Sequence, residues 1–175
     1  RVPFRSAGVA DAGCGAGLAL ELLAGAFPAS TFHGYDLSEH AIDAARQRFV
    51  EAGITNVELF RARAEDLPTE PTYDLVLTFD CIHDMTHPQQ MMHAIRSAIA
   101  PDGTWLLVDI KALDTFSENA KKNPMASLIY GISVRRCMSS ALSADGGRGL
   151  GTPGVPATPA SQWPRGCGCR ACRNR

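Results

Sequence analysis

The chain has 175 residues, a formal net charge of −1, 45% hydrophobic and 20% charged residues, the balance of an ordinary globular domain. Near-neutral charge argues against a nucleic-acid or membrane-surface binder, and no apolar run approaches the ~18 residues needed to cross a bilayer. The opening RVPFRSAGVA has no apolar core of a secretory signal, so a cytoplasmic location is expected.

The elements read as β-α-β-α-β-β-α-β. Residues 9–11 end a first strand. Residues 18–27 form a helix with Leu18, Leu22, Leu23 and Ala26 on one stripe, and 31–35 a second strand. Ser38 is placed to cap a helix striped by Ile42, Ala45 and Phe49 and closed by Gly53. Residues 57–60 are a third strand. YDLVLTF, 73–79, is a continuous apolar run of the kind buried on both faces of a sheet. Pro88 suits the first turn of a helix presenting Met91, Met92, Ile95 and Ile99. Residues 101–103 predict a turn, and 105–110 a further buried strand. This alternation predicts an α/β fold: a Rossmann-like, mostly parallel sheet with helices on both faces.

VADAGCGAG opens the first strand-to-helix turn. Gly13, Gly15 and Gly17 permit a tight turn and close approach of a ligand at the carboxyl edge of the sheet. Asp36 ends the second strand 23 positions beyond Gly13, near the ~20 expected of an acid that accepts ribose hydroxyls. Loop and acid together argue for a nucleoside-containing cofactor. The spacing GxGxG, with Asp11 before it, differs from the GxGxxG that seats a pyrophosphate. An acid there repels phosphate but suits an ammonium group, which favours S-adenosylmethionine over a dinucleotide.

DAGCGAG, GYDLSEHAIDAAR, ARAEDLP, YDLVLTFDCIHDM and PDGTWLLVDI, five ordered motifs, resemble those of class I S-adenosylmethionine-dependent methyltransferases. FDCIHDMTHP and KNPMASLIYGIS resemble bacterial members in which the domain follows a winged-helix or dimerisation segment. The resemblance implies that Asp11, Gly13, Gly15 and Gly17 hold the methionine end, with Cys14 beside them. It implies further that Asp36 binds the ribose, Leu37 packs on adenine, Ala64 and Glu65 meet the adenine edge, and Asp80 and Cys81 border the methionine moiety. Many relatives carry an acid where this chain has Arg63, and Asp66 is the nearest substitute for that adenine contact. Cys14 is expected to pack as a small hydrophobe.

His83 is the candidate general base, since the loop holding it borders the transferred methyl in relatives. His83 and His87 in HDMTH are four apart, but Asp84 is the one evident third ligand, so no metal is expected. Residues 115–131 are expected to form a helical cover over an acceptor pocket, with Phe116, Met125, Leu128 and Tyr130 either lining it or forming the core face of a helix. The resemblance implies transfer of a methyl group to a small-molecule acceptor, leaving S-adenosylhomocysteine. The alternative is a non-catalytic or truncated S-adenosylmethionine-binding module; a nicotinamide dehydrogenase is disfavoured by the loop spacing.

Composition shifts at about residue 143: the resemblance implies a methyltransferase domain over 1–142, expected to be incomplete at both ends, and the Gly/Pro/Arg/Cys-rich stretch 143–175 is expected to be a disordered or atypical tail, or one not native to the family. CGCRAC supplies Cys167, Cys169 and Cys172 without the paired CxxC spacing of a zinc ribbon. The tail contains no strand-like run, so the fifth strand is expected to lack its antiparallel neighbours, and a homodimer through an absent N-terminal segment is an expected association. The cysteines are expected to be reduced thiols.

Overall fold

The computed structural model describes residues 6–63, 66–113, 115–135 and 137. Ala64, Glu65 and the whole of the predicted tail therefore lie outside the described residues. The described chain forms two compact units, one of residues 6–79 with 93–107, the other of 80–92 with 108–137.

The first unit carries a five-stranded sheet. Its strands are β1 (Gly8–Ala12), β2 (Thr31–Asp36), β3 (Val57–Arg61), β4 (Tyr73–Phe79) and β5 (Ile99–Val108), in the order β3-β2-β1-β4-β5. β1 pairs in parallel with β2 and β4, and β2 with β3. Backbone bonds from Thr72 to Ala98 and from Asp80 to Val108 tie β4 and β5 at their starts and at their ends, so these strands also run in one sense. The order reverses between β1 and β4, the point at which open α/β sheets receive ligands.

α1 (Leu18–Ala26) and α2 (Glu39–Ala52) follow β1 and β2, and α3 (Pro88–Ala98) precedes β5. Right-handed crossovers on the two sides of the reversal put α3 on the face opposite α1 and α2. Val9, Leu20, Ala24, Phe32, Ile42, Ala45, Phe49 and Leu77 make one buried cluster. Ser38 caps α2, its hydroxyl accepting the Ala41 N–H at 3.3 Å, and Gly53 closes the helix at φ 65°. A second, partly buried cluster is polar: the Tyr73 hydroxyl lies 2.6 Å from that of Tyr35 and 2.8 Å from Nδ1 of the half-buried His33.

Three expectations needed correction. α1 does not bury Leu18 and Leu22, which are 60% and 67% exposed; it buries Leu20 and Ala24. LALELLAGA is apolar almost all round, so periodicity alone could not say which stripe faces the sheet. Residues 101–103 do not turn but lie within β5, and Ile99 belongs to that strand rather than to α3. A Cβ at Gly103 would fall 2.9 Å from the Tyr73 carbonyl oxygen, so this glycine permits a close backbone approach where turn chemistry was expected. Finally, β5 is not buried throughout. Only Trp105 is, its indole N–H donating to Thr78 Oγ1 at 3.0 Å, while Leu106 and Val108 are exposed. Among the described residues β5 has β4 as its one neighbour.

The second unit holds a 3₁₀ turn (Ile82–Asp84), α4 (Phe116–Lys122) and α5 (Ala126–Arg135). Asn119 organises the entry to α4. Buried, it accepts the Leu113 N–H and donates to the Leu113 and Thr115 carbonyls.

Candidate functional site

The loop after β1 is built from backbone bonds. The Gly13 and Cys14 N–H groups both donate to the Tyr35 carbonyl, at 2.8 and 3.0 Å. Gly13, Gly15 and Gly17 all have positive φ, at 85°, 53° and 75°, which an L side chain adopts only at a cost. Their surroundings separate their roles. A Cβ at Gly17 would fall 2.7 Å from Phe49 Cζ and 3.0 Å from Ala45 Cβ, so Gly17 lets α1 lie against α2. Among the described residues a Cβ at Gly15 would meet nothing within 4 Å, so its positive φ rather than crowding favours glycine there, and the space beside it is open.

Two acids flank this loop. Asp36 Oδ2 accepts the Gly15 N–H and Oδ1 the Ser38 N–H, each at 2.8 Å. Asp36 thus fixes the glycine loop and the start of α2 together. Asp11 is 2% exposed, and among the described residues its Oδ1 has no hydrogen-bond partner. Burial, then the nearby Asp36 charge, pushes its carboxyl up to about 7. Cys14 turns its side chain into the core, where burial raises its thiol, followed by Asp11 and Asp36. Leu37 is 63% exposed beside Asp36, an apolar side chain left at the sheet edge. Asp66 accepts the Arg63 N–H at 3.1 Å.

One contributor escaped the sequence reading. Arg48 of α2 reaches back to donate to the Ala16 carbonyl at 3.1 Å and pairs with Glu21 at 2.9 Å, holding the second half of the loop. No local motif marks it.

The second unit gathers a different set. Asp80 has φ 53°, unusual outside glycine, and donates its N–H to the Val108 carbonyl. His83 Nδ1 lies 2.6 Å from Asp109 Oδ1 and 4.0 Å from Asp80 Oδ1, and Nε2 lies 3.5 Å from Cys137 Sγ. The bond to Asp109 raises the imidazole against the opposing effect of burial. Burial works against ionisation at Asp109, but the bonds from His83 and the Ile110 N–H outweigh it and hold the carboxyl low. Burial raises Asp84 and Cys137. Cys81 is half-buried, and His87 belongs to neither group of clustered ligand atoms among the described residues. Sequence reading missed Asp109 and Cys137. Asp109 carried the same signal as Asp11 and Asp36, an acid at the end of an apolar strand.

Of the expected acceptor-pocket residues, Phe116 and Tyr130 line a cleft of about 500 Å³ with Lys121, Asn123 and Ser127. Their rings lie 5.0 Å apart. Met125 and Leu128 are exposed and do not line that cleft.

Residues 10–105 match the family model described as "Methyltransferase domain", more than half of the chain. The chain belongs to this methyltransferase family. It is 31% identical over 130 residues to a ubiquinone biosynthesis O-methyltransferase from Thiobacillus denitrificans, covering 72% of this chain and 51% of that protein. It is 32% identical over 104 residues to a trans-aconitate 2-methyltransferase from Variovorax paradoxus, covering 59% and 39%. Among solved structures, a protein from Bacillus halodurans described as a "putative methyltransferase" superimposes with a TM-score of 0.60 at 23% identity, covering 67% of this chain and 51% of that one, a likeness of fold. This methyltransferase chain spans about half the length, or less, of these curated relatives. Among the described residues, no helix is long and apolar enough to cross a membrane.

Proposed function

We propose that this methyltransferase domain binds S-adenosylmethionine at the glycine loop and transfers its methyl group to a small-molecule acceptor. The observation that carries the reading is the conjunction at Gly15. Its positive φ and the open space at its Cβ position adjoin a loop bordered by the buried, unpartnered Asp11 Oδ1. The donor set suits this cofactor. An acid near the end of the first strand, Asp11, would hold an ammonium group and would oppose a pyrophosphate. Gly13 and Gly15 would admit the methionine end, Asp36 would accept the ribose hydroxyls on its remaining lone pairs, and exposed Leu37 would cover adenine. Ala64 and Glu65 are proposed for the adenine edge, and Asp80 and Cys81 for the methionine border, on the motif positions they occupy.

When bound, S-adenosylmethionine supplies a sulfonium methyl already activated by positive charge. The residues' task is to hold and orient the reactants and to exclude water, which accounts for much of the rate in such transfers. His83 would act as a proton acceptor only through Nε2, because Nδ1 is held by Asp109; Nε2 faces the Cys137 thiol. Asp36 contributes twice, by accepting ribose hydroxyls and by keeping Gly15 in place.

Small-molecule methylation is supported by relatives named for ubiquinone biosynthesis and for trans-aconitate, while a further relative is named for a malonyl-[acyl-carrier protein] acceptor. Isothermal titration with S-adenosylhomocysteine and with NAD tests the cofactor. Tight binding of the first and none of the second is expected, and the reverse would overturn the reading. Turnover against a panel of phenols and carboxylic acids tests the transfer. Cofactor binding without any turnover would leave a binding module.

A further inference from the structure

We propose that His83, Asp84 and Cys137 form a binding site for a single zinc ion. This inference does not depend on the glycine loop, and it takes the place of the proton-acceptor role of His83, because zinc would occupy the same Nε2.

The three side chains offer an imidazole nitrogen, a carboxylate oxygen and a sulfur within 4.8 Å of one another. His83 Nε2 and Cys137 Sγ are 3.5 Å apart. Zinc takes nitrogen at ~2.0–2.1 Å and sulfur at ~2.3 Å. At a tetrahedral angle, those bond lengths put the two ligand atoms ~3.5–3.6 Å apart, so the pair is already spaced for a common ion. The second observation is at the other ring nitrogen. Nδ1 meets Asp109 Oδ1 at 2.6 Å. That contact fixes the Nδ1–H tautomer and leaves the Nε2 lone pair directed toward Cys137, the carboxylate–imidazole support characteristic of metal-bound histidine.

Charge agrees with geometry. Asp80 and Asp109 both approach His83, at 4.0 and 2.6 Å, and Asp84 and the thiol add further anionic capacity. A divalent cation would neutralise the bound thiolate and the Asp84 carboxylate together. The donor set selects among cations. Calcium and magnesium want oxygen ligands throughout, whereas imidazole with thiolate suits zinc. Three protein ligands leave a fourth position for water or a ligand, the pattern of catalytic zinc centres. Sequence spacing hid the site because Cys137 lies 54 residues from His83.

Binding releases the thiol proton to solvent and forms Zn–S, Zn–N and Zn–O bonds, with no change of oxidation state. The test is cobalt titration of the full chain, stripped with chelator and kept reduced. Cys167, Cys169 and Cys172 are changed to serine so that the tail thiols cannot contribute. One equivalent of Co²⁺ is expected to give a thiolate charge-transfer band and intense tetrahedral visible bands, bleached by zinc. Cys137→Ser should abolish the charge-transfer band. His83→Ala should weaken binding more than tenfold, and Asp109→Asn should weaken it ~10–100-fold while keeping the band. Far-UV circular dichroism of each variant separates loss of metal from loss of fold. If a variant unfolds, Asp84→Asn, expected to shift the visible bands, replaces it. The proposal is overturned if no band forms, if the band survives Cys137→Ser, or if it appears only when the tail cysteines are present.

Discussion

The fold strongly opposes the charged form of Asp11. Its carboxyl is pushed from 3.8 to about 7, first by burial and then by Asp36. In the unfolded chain it titrates near its ordinary value, ~3.9. Between roughly pH 4 and 7 the folded protein therefore holds a proton that the unfolded chain has lost. Unfolding then becomes easier as pH rises through this window, and the full penalty is present above it. At ~1.4 kcal/mol per tenfold, the interval is worth about 4 kcal/mol in all, and about 2–3 kcal/mol of it falls between pH 5 and 8. Asp11→Asn keeps the shape and removes the titration. Urea midpoints from pH 5 to 8 should fall more steeply for the wild type than for Asp11→Asn, with the variant the more stable at pH 8. Parallel curves would refute the raised Asp11 carboxyl.

The same group gives a binding signature. An ammonium ligand favours the ionised carboxylate, so S-adenosylhomocysteine should expel close to one proton at pH 6 and almost none at pH 8.5. Calorimetry in buffers of different ionisation enthalpy reads that number directly. Asp11→Asn should show no Asp11-linked release and weaker affinity. Proton release unchanged in the variant would detach Asp11 from the ligand even if the stability result held.

Gly15→Ala should lower stability by only ~1–2 kcal/mol, the strain of positive φ, yet weaken S-adenosylhomocysteine at least tenfold. Gly17→Ala, meeting Phe49 at 2.7 Å, should cost stability more than Gly15→Ala; equal stability losses in urea titration would contradict this division. Asp36→Asn leaves one oxygen for two backbone donors, so it should lose ~1–3 kcal/mol of stability and also bind more weakly; binding loss without stability loss would mean that the bonds to Gly15 and Ser38 contribute nothing. Tyr73→Phe strips a partner from both Tyr35 and His33 and should shift the urea midpoint down by ~1–3 kcal/mol with unchanged slope; an unaltered midpoint would dismiss that cluster as a stabilising element.

Much of this was readable from residues because the demands were local. Ser38, Ile42, Ala45, Phe49 and Gly53 state the whole of α2, from cap to exit. The short run at 73–79, rich in aromatic and β-branched residues, marked a strand, and it is mostly buried. Legibility failed where the deciding partner is distant in sequence. The stripe of α1 depends on which face the sheet presents, and an all-round apolar helix does not record it. Glycine at 103 reads as a turn until Tyr73 is known to lie against it. Arg48 gripping Ala16, Asp109 holding His83 and Cys137 facing His83 each pair residues far apart, and no short window contains both members.

The glycine loop shows the limit most sharply. GxGxG says that three positions exclude a side chain, but two different forces produce the same letter. At Gly17 the excluded volume belongs to Phe49 and Ala45, so the fold itself requires glycine. At Gly15 the volume is open and the backbone N–H is already committed to Asp36. Asp36 therefore cannot recognise a ribose independently of the loop: any force on its carboxylate is felt at Gly15 and, through Ser38, at the first turn of α2. With Asp36 as the proposed ribose acceptor, binding and loop order would be one equilibrium, because a ligand that stabilised the Asp36 geometry would also stabilise the bond that shapes its own seat.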